Sequence, residues 1–131
     1  MAEKVKAMYI KEGSEAVEIM EIDDELATYY ELTGCDCVDM PMRTVGGHRL
    51  AFVCDDEGLL KDRLPTAADA KGRVMLVGSL VIVGRDELDP EFRSLTDEEV
   101  KAVMDNLLVC TVKDVRSGKY VRQMVLTGVG Y

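Results

Sequence analysis

The sequence predicts a single α+β domain, a mostly antiparallel sheet with two helices in the order ββ-α-ββ-β-α-ββ. Three observations lead there. Alternating or β-branched segments recur along the chain and are separated by polar turns that carry glycine. Helix start signals followed by helical apolar spacing occur at Asp23–Gly34 and Ser94–Leu108. The 131 residues contain no repeat, linker or low-complexity tract, so one core and one domain over 1–131 are expected.

Residues 4–10 and 15–22 alternate and read as an opening hairpin across Lys11–Ser14, with Gly13 supplying a positive φ. Asp23 or Asp24 is the expected N-cap of the first helix, because a short acceptor there satisfies free N–H groups. Leu26, Tyr29, Tyr30 and Thr33 share a face, and Gly34 closes the helix. Residues 35–43 are extended, with Pro41 confining them to an edge or a strand end. Val45-Gly-Gly-His48 is a two-residue turn signal that returns the chain along residues 48–54.

Residues 59–73 are irregular, with one helical turn over 67–70. Residues 74–83 read as a buried, bent central strand with Gly78 at a bulge. Thr96 and Glu99 form a capping box for a helix over 96–108, with Leu95 placed to staple onto Val100. Residues 109–115 and 119–126 form a hairpin appended to a smaller core, and the tail 127–131 frays.

The charge balance excludes several roles. Acidic residues outnumber basic ones 25 to 16, for a net charge of −9, which opposes direct binding of nucleic acid or of anionic membrane. No apolar run approaches the roughly 18 residues of a membrane span. The charged N-terminal residues lack the apolar core of a secretory signal, so the four cysteines are expected as free thiols in a cytoplasm.

The opening hairpin, Cys54-Asp-Asp-Glu-Gly58 after an apolar strand, and Gly78-Ser-Leu-Val-Ile-Val-Gly84 followed by Ser94-Leu-Thr-Asp-Glu-Glu99 together resemble a known family. It is an uncharacterised family of small acidic domains common in phages, plasmids and conjugative elements of Gram-positive bacteria. The resemblance covers residues 4–108. Members carry a polar, often Asn-Arg-bearing loop after the glycine turn, where this chain has Lys61-Asp-Arg-Leu-Pro65. The family has no accepted catalytic motif, so the resemblance transfers no active-site residue. It implies an accessory role in a mobile element, of the kind that counters host defence.

Candidate chemistry is sparse. Asp55, Asp56 and Glu57, with Asp86, Glu87 and Asp89, form exposed acidic turns suited to a basic partner such as a nucleic-acid-binding host protein. Arg43, His48, Arg49 and Arg63 form a second set, able to hold a phosphate-bearing small ligand such as a nucleotide signal between protomers. Val121, Met124, Val125 and Leu126 offer either an oligomer interface, which a homodimer would use, or a strand-addition edge. Cys35 and Cys37 share a strand face. Cys54 then faces Asp39 if Val45 pairs with His48, or Cys37 if the turn is four residues long. The second register gathers three thiols, although their spacing matches no zinc pattern. No phosphate loop, dinucleotide fingerprint, EF-hand or nucleophile elbow is present, so no cofactor, metal or enzymatic activity is expected. The leading expectation is a non-enzymatic binding protein that inhibits a host defence system.

Overall fold

A computed structural model describes residues 3–131. In chain order the elements are β1 (Lys4–Ile10), β2 (Val17–Asp23), α1 (Leu26–Thr33), β3 (Val38–Asp39), β4 (Met42–Val45) and β5 (His48–Asp55). There follow β6 (Pro65–Ala68), β7 (Val74–Val77), β8 (Leu80–Val83), α2 (Asp97–Asp105), β9 (Leu107–Asp114) and β10 (Lys119–Leu126). The domain is α+β and mostly antiparallel, as the alternation and turn chemistry predict.

The larger sheet runs β2-β1-β8-β5, with β3 and β4 sharing the outer side of β5. Every pairing in it is antiparallel. The smaller sheet runs β7-β6-β10-β9, with β6 and β10 parallel. Alternation along the strands divides the apolar residues between two cores. Met8, Ile10, Leu50, Phe52, Leu80 and Ile82 face the smaller sheet and α2. Val5, Ala7, Ala51, Val53, Val81 and Val83 face α1, where Tyr29 packs edge-on to Phe92. All four residues of β8 are therefore buried, since both sides of this strand are covered.

Several local signals hold. Gly46 and Gly47 (φ 56° and 83°) make the two-residue turn, and Val45 pairs with His48. Gly34 (φ 69°) ends α1 in the left-handed region, with its N–H donated to Tyr30 O. At α2, Glu99 N donates to Thr96 Oγ1 (3.1 Å) and Thr96 N donates to Glu99 Oε1 (2.9 Å), completing the capping box.

Other expectations are corrected. Residues 74–83 are two strands in two different sheets. The chain crosses between them at Gly78 (φ 78°) and Ser79, because apolar residues on both sides of the glycine face one shared core. Within 59–73, residues 65–68 form β6 instead of a helical turn. Pro65 has no N–H to pair and the alanines carry little strand signal, so tertiary pairing with β7 and β10 decides. Asp23 belongs to β2 and pairs with Lys4, while Asp24 accepts from Tyr29 Oη (2.8 Å). Glu25 is consequently the N-cap of α1, without a side-chain cap bond. Asn106 Nδ2 donates to Ala102 O (2.7 Å) beyond the last turn of α2, and Leu107 and Leu108 pass into β9.

The C-terminal hairpin is built into the fold, since β10 lies between β6 and β9. The tail does not fray. Val129 is buried and donates its N–H to Ala68 O (2.9 Å), and Gly130 bridges to Thr44. Among the described residues, no helix is long and apolar enough to cross a membrane.

Candidate functional site

Asp55, expected on an exposed acidic turn, is instead buried at the end of β5. Its Oδ2 accepts from Lys61 Nζ (2.9 Å) and Arg63 Nε (3.3 Å), and its Oδ1 accepts from Glu57 N (2.9 Å). Burial pushes this carboxyl up, but the Lys61 and Glu57 hydrogen bonds and the two cations outweigh it and hold the group below its usual value. Lys61 is raised in turn, chiefly through its bond to Asp55. The other two residues of the turn, Asp56 and Glu57, are exposed as expected.

The structure does not gather the four ligand candidates. Arg63 spans Asp55, Glu12 Oε2 (Nη1, 3.3 Å) and Gly34 O (Nη2, 3.1 Å), so its whole fork is engaged inside the protein. Arg43 pairs with Leu50 and Arg49 with Thr44, registers of opposite parity that send the two arginines to opposite faces of the sheet. Arg43 Nη1 donates to Met42 O (2.8 Å), and its guanidinium lies 5.0 Å from the Tyr131 ring centroid. Arg49 Nη1 donates to Thr44 Oγ1 (3.2 Å). His48 borders a shallow hollow beside α2 with Ala102 and Asn106.

The second acidic group remains at the surface. Asp86, Glu87 and Asp89 are exposed, with Leu88 fully exposed between them. Asp86 accepts from Arg93 Nε (3.0 Å), and Glu87 Oε1 lies 3.8 Å from Arg49 Nε. The Asp89 carboxylate accepts from the N–H of Glu91 (2.9 Å), and its backbone carbonyl accepts from Arg85 Nε (2.8 Å).

Asp56 and Glu57 stand at the rim of a cleft of about 540 Å³ between β7 and the ends of β3 and β5. Cys54, Met75 and Leu76 contribute apolar lining. Leu59 and Leu60, 77% and 85% exposed, flank it, and β7 supplies its whole length to one wall. Arg43 also lines the cleft, and its Nε is buried without a hydrogen-bond partner. The cleft thus sets apolar surface inside a charged rim.

The β3–β5 register places Cys54 opposite Asp39, so the arrangement that gathers three thiols does not form. Cys35 and Cys37 lie in bends before β3 and not on a strand. Burial drives the Cys54 thiol up to about 12. The Cys37 thiol donates to Asp56 Oδ2 (3.7 Å), and desolvation together with that carboxylate raises it. All four cysteines are free.

Sequence reasoning missed Glu12 and Gln123. Glu12 looks like an ordinary turn carboxylate. Its side chain is only 10% exposed and accepts from Arg63, from Arg116 Nη2 (2.8 Å) and from Leu64 N (3.1 Å). Gln123 occupies an inward position, accepting from Gly13 N (2.9 Å) and donating to Pro65 O. Its place among apolar strand residues is the one signal that marked it. Glu12, Arg63, Asp114 and Arg116 wall a second cleft of about 500 Å³ in which acids and bases already neutralise one another.

A family model described as Domain of unknown function (DUF3846) matches residues 5–108. The match ends inside β9, so β10, the strand that joins β6 to that hairpin, lies beyond it. No curated protein and no solved structure matches the chain.

Proposed function

We propose, for a chain that belongs to the DUF3846 family of domains of unknown function, a non-enzymatic role in which it binds a basic protein partner. The observation that carries this reading is the position of Asp56 and Glu57. Both are exposed, neither has a cationic partner among the described residues, and both border exposed leucines. Carboxylates of this kind attract a basic surface at long range and leave the apolar centre to supply contact energy. Asp86, Glu87 and Asp89 extend the acidic surface around Leu88. A nucleic-acid-binding protein has the matching chemistry, since its groove is built to receive negative charge.

A phage or mobile-element setting, with a host defence protein as target, is the biological form of this proposal, and the family resemblance is its support. The test compares capture of basic proteins from a host lysate by the wild-type chain and by the D56N/E57Q variant. Capture at least tenfold weaker in the variant, and weaker still at high salt, is expected. Equal capture by both proteins overturns the reading.

A further inference from the structure

The geometry points to the cleft beside β7 as a groove for an extended peptide that alternates basic and apolar residues and adds to β7 as a fifth strand. This inference rests on the binding role proposed above and names the form of the partner. β7 is an edge of the smaller sheet, hydrogen-bonded to β6 on one side and, among the described residues, to no strand on the other. An edge strand presents a row of backbone donors and acceptors that only another extended chain pairs fully. β7 carries no charged side chain, proline or glycine that would blunt such pairing.

The walls select what kind of strand enters. Asp56 and Glu57 offer negative charge at the mouth, and Asp39 lines the cleft from β3. Cys54, Met75 and Leu76 are apolar, and Leu59 and Leu60 are left with most of their surface in water. Successive side chains of a strand point to opposite sides, so one chain satisfies both surfaces when basic and apolar residues alternate. The four residues of β7 span about 13 Å, enough to pair a segment of similar length.

The test uses the full chain, labelled with nitrogen-15, and the synthetic peptide Ac-KVKVKVKV-NH2, with Ac-EVEVEVEV-NH2 as control. Binding of the basic peptide alone is expected, with slowed amide exchange confined to residues 74–77 and shifts at Leu59 and Leu60. D56N/E57Q weakens that binding at least tenfold while its spectrum keeps native dispersion. Binding without protection of residues 74–77 overturns strand addition and leaves the acidic binding role standing. Equal binding of both peptides overturns the charge selection. If the basic peptide does not bind while lysate capture still depends on Asp56 and Glu57, the groove inference fails and the broader reading survives. If capture fails as well, both fall.

Discussion

Arg63 holds Asp55 in place from outside the sheet: its Nε lies 3.3 Å from Oδ2 of a carboxylate that is 1% exposed. The same guanidinium reaches Glu12 in the turn after β1, so one side chain ties the β5 end to the opening hairpin. Truncating it leaves two largely buried carboxylates short of a cation. R63A is expected to cost about 3 kcal/mol, as for a broken buried ion pair. R63K keeps the charge but loses the planar fork, and should fall between the two. Urea unfolding midpoints of the three proteins check the order.

Acid should unfold the chain through the same site. Asp55 and Glu99 both have folded values below their usual ones, so the unfolded state binds protons first as pH falls. The stability they contribute is complete above the ordinary carboxylate range and is lost as pH drops through that range toward the depressed values. Stability measured by urea from pH 7 to pH 3 should decline, and D55N should show a shallower decline. Parallel curves for the two proteins would contradict the assignment of this linkage to Asp55.

Two glycines should respond differently to alanine. Gly78 has φ 78°, and an added Cβ meets only the Arg63 side chain at ordinary distance, 3.5 Å. G78A therefore carries only the left-handed backbone penalty, about 1–2 kcal/mol. At Gly84 an added Cβ lies 2.3 Å from Arg93 Nη1 and 3.0 Å from Ser94 O. G84A must expel the guanidinium that bonds Glu99 (2.7 and 3.0 Å) and should cost more than G78A. Thermal unfolding of both variants measures the difference.

The C-terminal residues should matter to stability out of proportion to their position. Val129 is 1% exposed within the central core. V129A should lose about 2 kcal/mol through lost burial and the cavity left behind. T127A also removes the hydroxyl bond to Asn106 O (2.8 Å) and should cost about 1 kcal/mol. Melting temperatures unchanged in V129A would mean that the tail does not pack.

Cys37 is exposed, yet its thiol is raised by desolvation and by Asp56. Replacing Asp56 by Asn removes the neighbouring negative charge, so more thiolate forms at a given pH. Alkylation of Cys37 at pH 8 should be faster in D56N than in wild type, and Cys54 should stay unlabelled in both while folded. Mass-resolved labelling rates check both statements.

Local chemistry was legible wherever one residue type has one conformational use. The Gly46-Gly47 turn, the Thr96–Glu99 capping box and the Gly34 helix end all follow from their sequences. The three hairpins were legible too, but sequence could not show how the strands pair beyond them. Val74–Val83 is apolar throughout, and only the three-dimensional arrangement assigns its halves to different sheets. The site was half legible for the same reason. Asp55 and Asp56 are adjacent in sequence and chemically alike, but Asp55 ends β5, buried against Lys61 and Arg63, and Asp56 begins the turn and stands in water. Glu12 meets Arg63 and Arg116 across 51 and 104 positions, a separation that no local pattern encodes.

The crossing at Gly78 also sets an order of assembly. Every strand of the larger sheet has been synthesised once the chain reaches Val83, whereas the smaller sheet needs β10, which ends at Leu126. The parallel pairing of Ala67 with Leu126 closes a long loop and returns little enthalpy until it is shut. Until that last hairpin is made, β6 lacks its β10 neighbour and the core between the two sheets lacks Leu126 and Val129.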